Sequence, residues 1–208
     1  MTLWIGGTAE SMFFCLNGIE AALGRNGCNA ILRYARLEKY IAVPPENDST
    51  LALPPDDLAI LTKAFLDIAG AEYALPVLRR AGQAVGSRLV RRGLGRKRGL
   101  LGRSPLSRLR RALTELERGF EHADHSIEGK LLVQRIEAPC PYCHGISSAR
   151  PVCRFHEGLL ETLAQEIVGN ACAVHESTCQ AMGAPACIFN IEGLPLAEPT
   201  LGGVELRL

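Results

Sequence analysis

The sequence predicts an α+β fold, with helices packed on one side of a small antiparallel sheet. Three observations lead there. Apolar residues of the first half recur at three- and four-residue steps, the period of a helix face. Strand-forming runs begin only at about residue 130. The order is helices first, then strand, helix, strand and hairpin, which keeps the helices apart from an antiparallel sheet.

The elements follow in turn. Residues 7–42 read as helical, with Phe13, Leu16, Ile19, Leu23 and then Ile31, Leu32, Leu37 and Ile41 in register. Gly24 and Gly27 are expected to divide this stretch into two helices. Pro44-Pro45 stops the second, and a loop runs on to Pro54-Pro55. Pro55 followed by Asp56 and Asp57 opens a helix well, because acids suit the positive end of the helix dipole. Leu58, Leu61, Phe65 and Ile68 then share a face, and Gly70 fits as the cap. Further helices are expected from Pro76 to Val90 and from Leu106 to Phe120. Lys130–Ile136 is rich in strand formers. Residues 156–168 return to helix, with Leu159, Leu160, Leu163 and Ile167 on one stripe. Ala171–His175 and Cys187–Ile191 are short strands, joined through the turn Met182-Gly183-Ala184-Pro185.

The chain has 208 residues and is 47% hydrophobic, enough for one sizeable core. A net charge of +1 gives no global field that would commit it to nucleic acid. Residues 79–111 are the exception, with twelve Arg or Lys and no Asp or Glu. Gly93, Gly95, Gly99 and Gly102 interrupt that segment, which reads either as a solvated basic loop or as an arm for carboxylates, phosphates or a membrane surface. Gly93-x-Gly95 does not follow a strand, so it does not read as a dinucleotide turn. The first residues lack a basic region and carry Glu10 early, unlike a signal peptide. No apolar run reaches the roughly 18 to 20 residues that span a bilayer. The expected location is therefore the cytoplasm, where eight cysteines are thiols, metal ligands or redox groups.

Four residues of the last third suggest a metal: Cys153, Glu176, Cys179 and Cys187. Cys179 and Cys187 flank the Gly183 turn, which would bring them together. Glu176 ends the preceding strand, and Cys153 approaches from the loop before a helix. Zinc takes tetrahedral Cys and His donors, with carboxylate less often, and a closed four-ligand site of this kind is structural. Three thiolates and a carboxylate leave such a site at about −2, so backbone N–H groups or Arg154 would have to offset it. The alternative is four small buried side chains without a metal.

The segment Pro151-Val-Cys153-x-Phe155…Gly158…Val174-x-Glu176-x-x-Cys179-x-x-x-Gly183-x-x-x-Cys187-x-Phe189-x-Ile191 resembles the signature of the 4-vinyl reductase domain, strongly over about residues 130–192. Its relatives include the ligand-sensing domains of aromatic-responsive transcription activators and, more distantly, the transport-particle subunits of vesicle tethering. The resemblance implies structural zinc on Cys153, Glu176, Cys179 and Cys187, and a sheet with helices on one side enclosing a hydrophobic ligand pocket. It divides the chain into a helical N-terminal region, 1–75, with a role in homodimerisation, and a 4-vinyl reductase domain, 76–208, containing the basic segment and the zinc site.

Cys140-Pro-Tyr-Cys143-His144 admits several readings: a c-type haem attachment, a dithiol redox pair, a second or alternative metal role, or ordinary thiols of a loop near the pocket. His122 and His125 read as a solvated turn, or as an axial ligand to the magnesium of a pigment precursor. His156 and His175 neighbour the metal segment as supporting donors or surface groups. Cys15, Cys28 and Cys172 read as core residues.

The resemblance carries a reductase label, but vinyl reduction needs a hydride source, and no nicotinamide or flavin loop stands out. No nucleophile–base pair stands out either. Enzymatic activity is left open and no catalytic residue is assigned. The resemblance points first to a stand-alone protein of bacteriochlorophyll biosynthesis. Such a protein would bind a tetrapyrrole and assist its reduction or its transfer between pathway enzymes, with the arginines on its carboxylates. A sensor for a small aromatic or hydrocarbon is a second reading, and a tethering subunit with an acyl-binding cavity a third.

Overall fold

The structure, a computed structural model, describes residues 7–95, 104–137 and 139–195. Thr8 caps the first helix, its hydroxyl accepting the Ser11 N–H at 3.2 Å and satisfying one of the free donors of a helix start. Helix α1 runs Ala9–Tyr34 and leaves helical geometry at Gly24 alone (φ 72°), so the expected break falls there and Gly27 stays helical. The helix does not continue to residue 42. Arg36 takes a left-handed conformation (φ 56°), and the N–H groups of Arg36 and Leu37 donate back to the Arg33 and Leu32 carbonyls. That is a Schellman closure with an arginine where glycine is usual. A separate single turn, α2 (Lys39–Ala42), follows.

Helix α3 (Asp57–Ala69) and helix α4 (Ala71–Arg91) meet at Gly70, whose φ of 76° turns the chain between them. Thus α4 begins at Ala71, not at Pro76. The proline lies in its second turn, and the carbonyl it leaves without a partner belongs to the exposed Glu72. Helix α5 (Pro105–Glu117) has Pro105 in its first turn and Ser104 as cap.

Strands β1 (Ala123–Glu128) and β2 (Leu131–Glu137) form a hairpin on a two-residue loop, with Gly129 at φ 61°. Strand β1 corrects the expected solvated turn at His122–His125. After β2 come helix α6 (Arg154–Ile167), strand β3 (Ala173–Thr178), one 3-10 turn (Gln180–Met182) and strand β4 (Ala186–Glu192). The four strands form one antiparallel sheet in the order β1-β2-β4-β3. Its inner face carries Leu132, Gln134, Ile136, Val174, Phe189 and Ile191, all buried, while Arg135 and His175 on the other face are exposed.

The helices cover the inner face in two tiers. Helices α5 and α6 lie against the sheet; α4 packs on α6, and α1 and α3 pack on α4. The α4–α6 seam is so close that a Cβ on Gly82 would overlap the Phe155 carbonyl oxygen and one on Gly158 that of Arg79. Among the described residues, no helix is long and apolar enough to cross a membrane.

The described residues of the basic segment are mostly helix, and Arg79, Arg88 and Arg92 find acids from elsewhere in the chain. Arg79 pairs with Glu157 and, at 2.7 Å, with Glu161. Arg88 and Arg92 reach the buried Glu10 at 2.6 and 3.0 Å, and Arg108 donates to the Ile167 carbonyl. Residues 96–103, the centre of the expected loop, lie outside the described residues.

Candidate metal centre

Three separate pieces of chain deliver thiols to one buried point at the N-terminus of α6. Cys140 and Cys143 come from the turn after β2. The N–H groups of Cys143 and His144 both donate to the Cys140 carbonyl, at 3.3 and 2.9 Å, curling the Cys-Pro-Tyr-Cys segment. Cys153 is the residue that precedes α6. Glu176, Cys179 and Cys187 come from the β3–β4 hairpin. In a regular strand, positions 176 and 179 would face opposite sides of the sheet. The register of β3 shifts between Glu176 and Thr178, and that irregularity lets both side chains reach the same point. Gly183, at φ 85°, closes the turn that returns Cys187 to it.

The sulfur separations are those of tetrahedral coordination. Zn–S bonds of about 2.3 Å imply a tetrahedron edge of about 3.8 Å. Cys153 lies 3.7 Å from Cys187 and 3.8 Å from Cys179, and Cys179 lies 4.0 Å from Cys187. Cys140 is 3.7 Å from Cys153, and Cys143 is 3.6 Å from Cys187. Two quartets have all their donor atoms within 4.8 Å of one another: Cys153, Glu176, Cys179 and Cys187, and Cys140, Cys143, Cys153 and Cys187. The first is the set read from the sequence. The second brings in Cys140 and Cys143, for which the sequence left several roles open.

Glu176 is oriented as a ligand would be. Its Oε2 accepts the Cys153 N–H at 2.9 Å, while Oε1 is buried with no hydrogen-bond partner. A carboxylate oxygen left so is costly unless a cation or proton meets it. Burial, then the charge of Cys179, pushes its pKa up to about 9. Burial also pushes the Cys140 and Cys153 thiols up. Binding a cation there would release the protons these donors hold. The buried cysteine cluster can therefore hold a metal ion. Arg154 does not offset its charge, since its guanidinium pairs with Glu157 at 2.6 Å. Backbone groups do: the Gln180 N–H points at the Cys187 sulfur at 3.4 Å.

Two residues that the sequence reading did not single out hold this corner together. The Gln180 side chain accepts the Cys140 N–H at 3.1 Å and donates to the Ile136 carbonyl at 3.1 Å. Glu157, fully buried, accepts the Glu176 N–H at 3.2 Å and pairs with Arg79 and Arg154, linking the site to α4. A Gln one residue after a ligand and a Glu among basic neighbours carry no spacing signal.

The histidines stand elsewhere. His144 is exposed, apart from the thiols beside it. Cys140 and Cys143 are buried against Cys153 and Cys187, an arrangement unlike an open haem attachment. His125 is on β1, with Nδ1 2.8 Å from Glu117. His175 is exposed on the outer face of the sheet. His156 is not a surface group; it is fully buried in a ring cluster, stacked on Tyr142 at 5.3 Å and edge-on to Phe189 and Phe120. Its Nε2 meets the Gln134 Oε1 at 2.7 Å, and burial holds its pKa down at about 3, so the ring is neutral. Cys15, Cys28 and Cys172 are buried, as expected of core residues.

That ring cluster fills the space between α6 and the sheet, where an enclosed ligand pocket was implied. A concavity of about 390 Å³ lies instead between α1 and α4. Gly18, Ala21, Ala22, Ala81 and Ala84 give it smooth walls, with Phe14 and Val77 as bulkier apolar groups and Arg80 as its cation.

Residues 132–193, from β2 to just past β4, match the family model of the vinyl-4-reductase domain. The match coincides with the stretch whose signature carried the resemblance. The bacteriochlorophyll synthase 23 kDa chain of Cereibacter sphaeroides is 41% identical over 51 residues, which are 24% of this chain. The aligned stretch spans 25% of that relative's length. Among solved structures, an H-NOX protein from S. oneidensis has a TM-score of 0.55 at 17% identity, covering 89% of this chain and 98% of its own. At that identity the likeness speaks for the fold alone. A vinyl-4-reductase family protein from Methanocaldococcus jannaschii has a TM-score of 0.43 at 17% identity, covering 78% of this chain and 92% of its own.

Proposed function

We propose that this chain, which matches the vinyl-4-reductase domain over residues 132–193, binds a planar tetrapyrrole of bacteriochlorophyll synthesis and presents it to a pathway enzyme. In this reading the groove between α1 and α4 is the binding surface, and zinc on Cys153, Glu176, Cys179 and Cys187 is structural. The observation that carries it is the make-up of the groove. Walls of Gly18, Ala21, Ala81 and Ala84 let a flat macrocycle approach the helix backbones, Phe14 offers a ring to stack on, and Arg80 stands at the edge where a propionate would lie. One comparison supports the choice of ligand, the name of the bacteriochlorophyll synthase relative. Zinc is favoured because a closed set of thiolates with one carboxylate suits it.

The test is titration of the full chain with Mg-protoporphyrin and protochlorophyllide, following the Soret band, and with phenol, following the heat of binding by calorimetry. A saturable micromolar complex with either tetrapyrrole is expected. Ala21→Trp, which fills the groove from an exposed position, should weaken it at least tenfold; Arg80→Ala should weaken it less. A complex with phenol alone, or a tetrapyrrole complex indifferent to Ala21→Trp, would refute the assignment of this groove.

A further inference from the structure

One tetrahedral ion needs four donors, and six converge here. Cys153 and Cys187 belong to both quartets; Cys140 and Cys143 complete one, Glu176 and Cys179 the other. We infer that the site is dinuclear. One divalent ion sits on Cys140, Cys143, Cys153 and Cys187, and a second on Cys153, Glu176, Cys179 and Cys187, with the sulfurs of Cys153 and Cys187 bridging the two. This inference rests on the reading above that the Cys153 site holds an ion, and adds the second.

Three features of the geometry point to it. First, two tetrahedra sharing an edge require six donors, two of them common, and the common pair must be one tetrahedron edge apart. Cys153 and Cys187 lie 3.7 Å apart, which with bonds of about 2.3 Å puts the ions roughly 3 Å from each other. Second, the remaining donors come from two different pieces of chain. Cys140 and Cys143 come from the turn after β2, Glu176 from β3 and Cys179 from the residue that follows it, and each set makes its own sulfur contacts of 3.6 to 4.0 Å with the pair. Third, the charge is neutral to the change. Five thiolates and a carboxylate around two divalent ions carry about −2, the same as three thiolates and the carboxylate around one. The dinuclear site therefore carries no more net charge than the single quartet, and it gives metal bonds to two further fully buried sulfurs.

The turn that supplies the extra thiols is also built for the purpose. It is closed on the Cys140 carbonyl, and the Gln180 side chain fastens it to the β3–β4 hairpin that supplies Cys179 and Cys187. A loop of ordinary thiols would not need its backbone clamped by the neighbour of another ligand.

Native mass spectrometry of the full chain, with metal analysis, counts the ions after zinc saturation. Two per chain are expected, falling to one in Cys140→Ser/Cys143→Ser. Cadmium exchange supplies a readout that does not depend on a folded variant: two ¹¹³Cd resonances in the wild type, coupled to each other through shared sulfurs. One ion in the wild type, retained by Cys140→Ser/Cys143→Ser, would overturn the dinuclear centre and leave the single-ion reading intact. No ion at all would overturn both. Two ions whose cadmium resonances show no coupling would overturn the bridged arrangement.

Discussion

Helix α6 is held at its side and at its start by different means. Along its side, the carbonyls of Phe155 and Leu159 meet Gly82 and Gly86 of α4, and Gly158 meets the Arg79 carbonyl, backbone against backbone. At its start, Cys153 joins four other thiols and a carboxylate in a buried corner. The seam is held by backbone shape, with the Arg79 ion pairs to Glu157 and Glu161 at its edge. The corner can hold a metal ion, and with one bound as proposed, metal supply, oxidants and acid would all act on it. What the pair teaches is that one helix can be rigid on one flank and conditional at its end.

The largest expected effect is on the seam. Gly82→Val places side-chain carbon on the Phe155 carbonyl, and neither backbone can yield without opening α4 from α6. A loss of about 4 kcal/mol is expected, read as a lowered midpoint in denaturant. If Gly82→Val unfolds like the wild type, the seam is looser than its geometry implies. The corner should respond next. Removing the metal with a chelator at pH 7 should cost about 3 kcal/mol and expose the amides of β3, β4 and residues 139–153 to hydrogen exchange, while the amides of α4 keep their protection. Equal deprotection of α4 would mean that the two regions are one cooperative unit.

The smallest effect at neutral pH lies between them, at His156. His156→Gln should cost about 1 kcal/mol there, for the lost ring contacts. The sign of its pH dependence follows from a folded pKa of about 3 against an unfolded value near 6.5. The unfolded chain binds the proton first, so the stability this neutral ring contributes is complete above about pH 6.5 and drains away as pH falls towards 3. Wild-type stability should fall more steeply than that of His156→Gln across that window, by up to ~1.4 kcal/mol per pH unit. Parallel pH profiles would show that the ring is not kept neutral by burial.

Much of this was legible in the residues themselves. The helices with clean three- and four-residue spacing, α3, α5 and α6, lie close to where periodicity placed them, and the signature from Cys153 to Cys187 marked one quartet in full. The rest was hidden for physical reasons. Strand β1 is mostly exposed, so it has no apolar alternation to read; only Gly129, in a two-residue gap before Leu131, hinted at a hairpin. Helix α4 runs through Pro76 because the carbonyl that the proline orphans faces water. The acids that pair with Arg79, Arg88 and Arg92 come from α6 and α1, so charge counted along the chain overstated the free basic surface. Cys140 and Cys143 were ambiguous because a C-x-x-C turn gains its meaning from what it faces.

The spacing of the donors along the chain sets an order of assembly. Cys179 and Cys187 are 8 residues apart within one hairpin, Cys153 is 26 residues from Cys179, and Cys143 is 44 from Cys187. Closing a short loop costs the least entropy, so an ion meeting the chain would be grasped within a local pair, Cys140 with Cys143 or Cys179 with Cys187. Cys153, 13 residues from Cys140 and 26 from Cys179, would then draw the two pairs together at the start of α6. An ion held there would act as a clasp that waits for the C-terminal strand before fixing the earlier chain in register.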